Sequence, residues 1–158
     1  MRKRILERTT PEPRPTDNTN WLDLERLAQV EVSSEDADHP IEQALLGGTG
    51  TGWRAADPGP QSLRLIFDRP QRIGLIYLRF AEQGHRRTQE YQLRWSADRG
   101  SSYQEILRQQ WNFDPEAASE EIERHQVDLP EVSVLELNIN PDIGGAPRIA
   151  SLAEWRMA

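Results

Sequence analysis

Apolar and polar residues alternate along several short stretches of this chain, and this period of two belongs to β-strands rather than helices. Tyr91, Leu93 and Trp95 alternate with Gln92 and Arg94, and similar runs occur at 62–67, 135–140 and 153–157. Each run would present one apolar and one polar face. This is the pattern of strands in an antiparallel sheet with one side buried.

Turn signals rich in proline and glycine separate these runs. They occur at 57–60, 68–70, 98–101, 129–130 and 140–142. Short strands with frequent turns predict a β-sandwich or barrel, not alternating strands and helices. The Asp-Pro-Glu sequence at 114–116 resembles a helix start, so we expect a single helical turn there.

The length of 158 residues suits one domain, and 36% of the residues are hydrophobic. Residues 9–20 contain three prolines and no hydrophobic side chain, which predicts a flexible leader over 1–20 and a folded domain over 21–158. No apolar run approaches the roughly 18 residues of a membrane span. The basic start is not followed by the apolar stretch of a signal peptide.

The chain has no cysteine, which excludes disulfides and cysteine metal sites, and a cytoplasmic location is the default expectation. The formal net charge of −7 argues against a nucleic-acid binder that neutralises phosphates. Lys3 is the only lysine, so nearly every positive group is a planar guanidinium suited to bidentate pairing.

Six motifs follow one another in an order that resembles one protein family. They are Val-Glu-Val-Ser-Ser at 30–34, the proline-led stretch 40–47, Gly-Trp-Arg-Ala at 52–55, the strand–proline–strand segment 63–73, the hairpin 91–103 and the closing strand 151–157. Together they are similar to the discoidin, or coagulation-factor C-domain, family. The resemblance covers about 24–158 and implies an all-β, galactose-binding-like jelly-roll sandwich of about eight antiparallel strands.

Two positions bear on calcium, which the resemblance raises as a possible cofactor. Leu46 stands where the family often has an aspartate that helps to hold the ion, whereas Glu154 matches the family's glutamate on the last strand. One carboxylate with backbone carbonyls makes a poor calcium site. We therefore expect no cofactor and no metal, with Glu154 as the only family-matched candidate ligand.

Signals of catalysis are weak. His39, His85 and His125 show no metal-ligand spacing, and the glycine-rich run 47–52 lacks the lysine of a phosphate loop, so we interpret that run as a flexible turn. There is no Gly-x-Ser-x-Gly motif either. We expect a protein that is not an enzyme.

Loops at one end of such a sandwich are the expected binding surface. Three stretches offer the aromatic faces and planar polar groups that sugars require. The candidate ligand-binding residues are Trp53 and Arg54; His85, Arg86 and Arg87; and Gln110, Trp111 and Asn112.

Each candidate also has a structural interpretation. Trp53 and Trp111 would fill the core, the amides near Trp111 would cap a loop, and Arg86 with Arg87 would be a solvated pair. Trp95, Trp155 and Tyr103 are expected in the core.

The resemblance and the aromatic–amide stretch together predict a non-catalytic binding module for carbohydrate or glycoconjugate. A protein-interaction or scaffolding module is the alternative. A small polar pocket with an aromatic wall would favour a sugar, and a flatter apolar patch would favour a protein partner.

Overall fold

A computed structural model describes residues 19–46, 52–82 and 84–158. The predicted leader lies almost entirely outside these residues, and so does most of the glycine-rich run at 47–52. The elements are α1 (Leu24–Leu27), β1 (Ala28–Val32), α2 (Glu42–Leu45), β2 (Trp53–Pro58), β3 (Gln61–Ala81), β4 (Arg87–Ser96), β5 (Gln104–Phe113), β6 (Glu120–Asn140), β7 (Ile149–Leu152) and β8 (Glu154–Met157).

Two long strands, β3 and β6, pair antiparallel along most of their lengths and run through both layers of a sandwich. In one layer the strand order is β1, the first half of β3, the second half of β6, β4 and β5. Each strand pairs with its neighbours in this order, and β5 forms an edge. We call this layer the front sheet. The second half of β3 pairs with the first half of β6 and with β8, and we call this layer the back sheet. A separate ribbon joins β2 to β7.

The two sheets face each other across the core. Phe80 from the back sheet packs against Tyr91 from the front sheet with ring centroids 5.2 Å apart, and the Tyr91 hydroxyl lies 2.8 Å from His125 Nε2. Leu63, Leu65 and other inward-facing residues of the alternating runs are fully buried. These observations confirm the predicted antiparallel β-sandwich.

Proline does not end the long strands. The turn signals at 68–70 and 129–130 predict chain reversals, but β3 and β6 each continue past them. The β3–β6 register shifts between Ile66 and Leu75, opposite Pro130. Because proline cannot donate to a strand ladder, it is tolerated at such irregularities, and the paired strands bend there from one sheet into the other.

The outer face of the front sheet carries a buried charge. Glu136 is buried and accepts hydrogen bonds from Arg64 Nε at 2.7 Å and Arg94 Nε at 2.6 Å. Burial opposes ionisation of this carboxyl, but the two guanidinium groups and Asn138 outweigh burial and lower its pKa. The Glu136 carboxylate therefore links arginines of β3 and β4 across the polar outer face of the front sheet.

One expectation about an individual residue was wrong. Tyr103 is partly exposed, and the Arg94 guanidinium lies 4.3 Å from its ring centroid, so it belongs to the outer face and not to the core. Residues 114–118 form one hydrogen-bonded turn between β5 and β6, in which Ala118 N donates to Asp114 O at 2.7 Å with the spacing of a single helical turn, as expected. Trp155 is fully buried, as expected, and Trp95 is partly buried against the core.

Several connections meet at one end of the sandwich. The β3–β4 connection is held to the end of β6, because Arg87 donates to the Pro141 carbonyl at 2.8 Å. Glu82 N also donates to Ser119 O at 2.8 Å, which adds the β5–β6 connection. None of the helices in the described part has the length and apolar character that a membrane crossing requires.

Candidate functional site

A cleft of about 490 Å³ opens at this end of the sandwich, between the β2–β7 ribbon and the β3–β4 connection. We call it the end cleft. Its polar lining comes from His39, Arg54, Glu82, His85, Arg148 and Ser151, and Ala81, Pro147 and Ile149 supply apolar surface.

A short turn after β1 places His39. The Asp36 carboxylate accepts a hydrogen bond from Asp38 N at 2.9 Å, and His39 N donates to Asp36 O at 2.8 Å. The turn is joined to β2 because Asp36 N donates to Arg54 O at 2.9 Å and Arg54 N donates to His39 O at 3.2 Å. His39 and Arg54 are therefore fixed side by side by backbone hydrogen bonds.

Alternation along β2 decides which residues face the cleft. Trp53 is fully buried, and its indole N–H donates to Ser34 O at 3.1 Å. Arg54 follows on the exposed face and pairs across the ribbon with Ser151, which also lines the cleft. Trp53 thus occupies the core and directs its neighbour outward.

Glu82 organises the opposite wall. Its carboxylate accepts hydrogen bonds from Gly84 N at 2.8 Å and His85 N at 2.9 Å, and it pairs with Arg87 Nε. Burial opposes ionisation, but these hydrogen bonds outweigh it and lower the pKa of Glu82. The negative charge of Glu82 is therefore already engaged within the wall.

Arg148 closes the third side, after Pro147 in the connection between β6 and β7. Its backbone carbonyl accepts a hydrogen bond from Gly59 N at 3.0 Å, which holds the loop against the β2–β3 turn. Its side-chain Nε is buried and has no hydrogen-bond partner in the part of the chain that the structure describes. A buried donor without a partner carries a free-energy cost.

The chain matches one protein family over most of its length. A family model described as F5/8 type C domain matches residues 29–155. The chain belongs to this family. The predicted discoidin resemblance is thereby confirmed.

Solved structures agree with this F5/8 type C assignment. A carbohydrate-binding module from Clostridium perfringens, in complex with GalNAc-β-1,3-galactose, superposes with a TM-score of 0.63 at 19% identity, covering 87% of this chain and 99% of that one. A family 32 module from Clostridium perfringens NanJ, in complex with galactose, gives 0.58 at 16% identity, covering 82% and 92%. A pectin-binding module gives 0.62 at 17% identity, covering 84% and 90%. A comparison with curated proteins found no relative by sequence.

The end cleft of this F5/8 type C domain includes two of the predicted ligand residues, Arg54 and His85. A second, more open cleft of about 540 Å³ contains three others, Arg86, Arg87 and Asn112. We call it the side cleft. The sequence therefore placed five candidates at this end of the domain, but the structure divides them between two concavities.

The cations of the side cleft are engaged in internal contacts. The Arg87 side chain is buried, pairs with Glu82 and lies 4.5 Å from the ring centroid of Phe113. Arg86 is exposed and forms an ion pair with Asp114 at 3.2 Å, so the solvated interpretation holds for Arg86 and is wrong for the buried Arg87. Asn112 shares a hydrogen bond with Thr88 at 2.7 Å.

The aromatic–amide stretch around Trp111 is not a loop. It belongs to strand β5, where Trp111 pairs with Gln89 and faces inward, while Gln110 lies on the outer face and donates to Glu90 at 3.1 Å. Trp111 is partly buried against the core, and its indole N–H is buried. Strand alternation thus puts the indole and the amide of Gln110 on opposite faces of the sheet.

Glu154, the family-matched candidate for calcium, lies in an ion pair. Arg79 Nε donates to its carboxylate at 3.1 Å. The described residues contain no group of three or more metal-ligating side chains, and Leu46 is exposed on the surface. This donor set does not suit a calcium ion. The absence of a resident metal stays a prediction.

Sequence reasoning missed Glu82 and Arg148 as lining residues, and it regarded His39 only as an isolated histidine. A partial signal exists for Arg148, which follows a segment rich in glycine and proline, as exposed loop residues often do. Nothing in the sequence shows that residues 39, 54 and 148 meet.

Proposed function

We propose that this domain is a non-catalytic carbohydrate-binding module and that the end cleft is its sugar site. The observation that carries the proposal is the lining of that cleft. Planar guanidinium and imidazole groups from Arg54, Arg148, His39 and His85 converge beside apolar surface from Pro147 and Ile149.

This lining supplies the polar groups of a sugar site and an aliphatic surface, but not the aromatic wall that the sequence analysis expected. Hydroxyl groups need several directed donors and acceptors, which the guanidinium and imidazole groups and Ser151 provide. The C–H face of the ring needs apolar contact, which Pro147 and Ile149 provide in place of an aromatic wall. The volume lies in the range of about 300–1,000 Å³ that small-molecule sites occupy.

The ligands of the three related modules support the class of ligand. They are GalNAc-β-1,3-galactose, galactose and pectin. These relatives share the sandwich and differ in sequence at most positions. Their ligands therefore support a carbohydrate for this domain and leave its identity to the residues of the cleft.

The alternative of a protein-interaction module lacks a specific observation in its favour. Among the described residues, the large hydrophobic side chains that are strongly exposed are Leu46 and Ile143, at 43% and 46%. Two such side chains do not make the flat apolar patch that a protein partner would need.

A glycan array tests the proposal with three labelled proteins: the unaltered domain, Arg148→Ala and Arg69→Ala. Arg69 lies in the exposed bend of β3, far along the strand from Ala81 at the end cleft, so its substitution removes the same charge elsewhere. We expect the unaltered domain and Arg69→Ala to bind the same glycans and Arg148→Ala to lose them. An array that stays silent with all three folded proteins would contradict the proposed function.

A further inference from the structure

The two arginines of the end cleft belong to the minority of described arginines that form no ion pair. Most arginines in the described ranges form ion pairs, as Arg64, Arg79 and Arg87 do with glutamates. Arg54 and Arg148 make no ion pair with any described residue. An acidic protein that pairs most of its cations has therefore left two of them at one cleft.

The carboxylates near these arginines offset only part of their positive charge. Glu82 lines the cleft, but its oxygens are taken by Arg87 and by the amides of Gly84 and His85. Asp36 lies behind His39 and outside the lining. A hydrogen bond from Asp38 N, with the nearby His39 and Arg54, lowers the pKa of Asp36. The wall that a ligand would meet therefore has a surplus of positive charge.

Arg148 is the more specific of the two. Its side chain lines the cleft, it makes no ion pair with a described residue, and its buried Nε–H has no acceptor among them either. A guanidinium fork matches the two oxygens of a carboxylate, and a charge-assisted bond of this kind is about twice as strong as a neutral one. A neutral sugar would leave this donor with a weaker partner.

We propose that the end cleft selects an acidic sugar, with the acid group held by Arg148 and Arg54. This inference rests on the proposed function, because it names the class of carbohydrate for that same site. The apolar surface of Pro147 and Ile149 would contact the ring, and His39 and His85 would contact its hydroxyl groups.

Isothermal titration with charge-matched sugars tests the inference. The probes are oligogalacturonate and oligomannuronate, each beside its fully methyl-esterified form, which keeps the ring and linkage but loses the charge. A sulfated galactan oligosaccharide distinguishes sulfate from carboxylate as the acid group. The proteins are the unaltered domain, Arg148→Gln, Arg54→Gln and the control Arg69→Gln, each checked for folding by its melting temperature.

We expect at least one acidic probe to bind at least about tenfold more tightly than its neutral counterpart, since a charge-assisted hydrogen bond differs from a neutral one by roughly this factor. Arg148→Gln and Arg54→Gln should each remove most of that preference, and Arg69→Gln should retain it. Sodium acetate, added at the same concentration as the sugar, should not displace the sugar. Displacement by acetate would show that the site binds anions in general, and it would overturn the inference.

Two results separate this inference from the function on which it rests. Equal binding of acidic and esterified forms, or binding of neutral glycans alone, would overturn acid selectivity and keep the carbohydrate site. Silence with the acidic oligosaccharides and across the glycan array would overturn both.

Discussion

At the scale of single residues, the burial of Glu121 lowers the free energy of unfolding. It is buried on the inward face of β6, and neither carboxyl oxygen has a hydrogen-bond partner among the described residues. Burial, followed by the charge of Glu123, raises its pKa from an ordinary value of 4.5 to about 8, although Arg87 opposes the shift. The fold therefore holds this carboxyl more easily as the neutral acid.

The sign of the resulting pH dependence follows from linkage. Between pH 4.5 and about 8 the unfolded chain ionises Glu121 while the folded domain keeps the proton. The free energy of unfolding must therefore fall as the pH rises through this window. Nearby His125 acts in the opposite direction, because burial lowers its pKa despite the charge of Glu123, so a variant is needed to isolate Glu121.

We predict that Glu121→Gln raises the free energy of unfolding at pH 8 by on the order of 1–3 kcal/mol, because it removes a buried charge without changing the volume. At pH 4 the variant and the unaltered domain should be nearly equal. Urea unfolding across this pH range measures the difference. Glu131→Gln, at an exposed position, is the matched control, and a pH-independent gain in both variants would refute the explanation.

At the scale of elements, the start of the β2–β7 ribbon controls where Arg54 lies. Gly52 has a φ of +86°, and a Cβ at this position would collide with the carbonyl oxygen of Leu152 and lie 2.7 Å from Ala153 Cα. Only glycine adopts this conformation at so close an approach. Arg54 follows two residues later, so this contact sets one wall of the end cleft.

We predict that Gly52→Ala lowers the free energy of unfolding by roughly 2–4 kcal/mol, because backbone strain and a backbone collision add. It should also weaken sugar binding, since the ribbon must shift. Gly59→Ala is the control: Gly59 has a φ of +93° but open space around it, so its loss should be about 1 kcal/mol. Similar losses for both variants, measured by urea unfolding, would show that the close approach to β7 is unimportant.

At the scale of the whole molecule, strand β8 closes the back sheet by pairing with β3. The β3–β8 pairing runs from Ile76 to Arg79, and the Arg79–Glu154 ion pair lies at its end. A guanidinium thus takes the carboxylate that the family resemblance connects with calcium. Removal of free calcium should leave such a fold unchanged.

We predict that an excess of calcium and an excess of chelator give the same melting temperature within about 1 °C, because an ion that does not bind the folded state cannot stabilise it. The same two conditions should give the same glycan binding. Arg79→Ala provides a comparison in which the Glu154 carboxylate is released. A calcium-dependent rise in the melting temperature of the unaltered domain would show that the ion does bind.

The sequence by itself determined the sandwich, because burial of one face of a strand requires the period-two pattern that Leu63, Leu65 and Tyr91 display. It also predicted that binding residues lie on loops at one end of the sandwich, and that prediction is still to be tested. Trp53 and Trp111 show its limit, since a tryptophan in a strand faces inward or outward according to register and neighbours, which local sequence does not reveal.

Only the tertiary structure decided which cations are free. Arg54, Arg86, Arg87 and Arg148 are the same residue type in similar turn-rich sequence, yet Arg86 and Arg87 form ion pairs with Asp114 and Glu82, while Arg54 and Arg148 line the end cleft without an ion pair to a described residue. Pairing of a charge depends on groups brought close from distant parts of the chain. The alternating pattern therefore fixes the layers, and long-range contacts between loops fix the chemistry of the cleft.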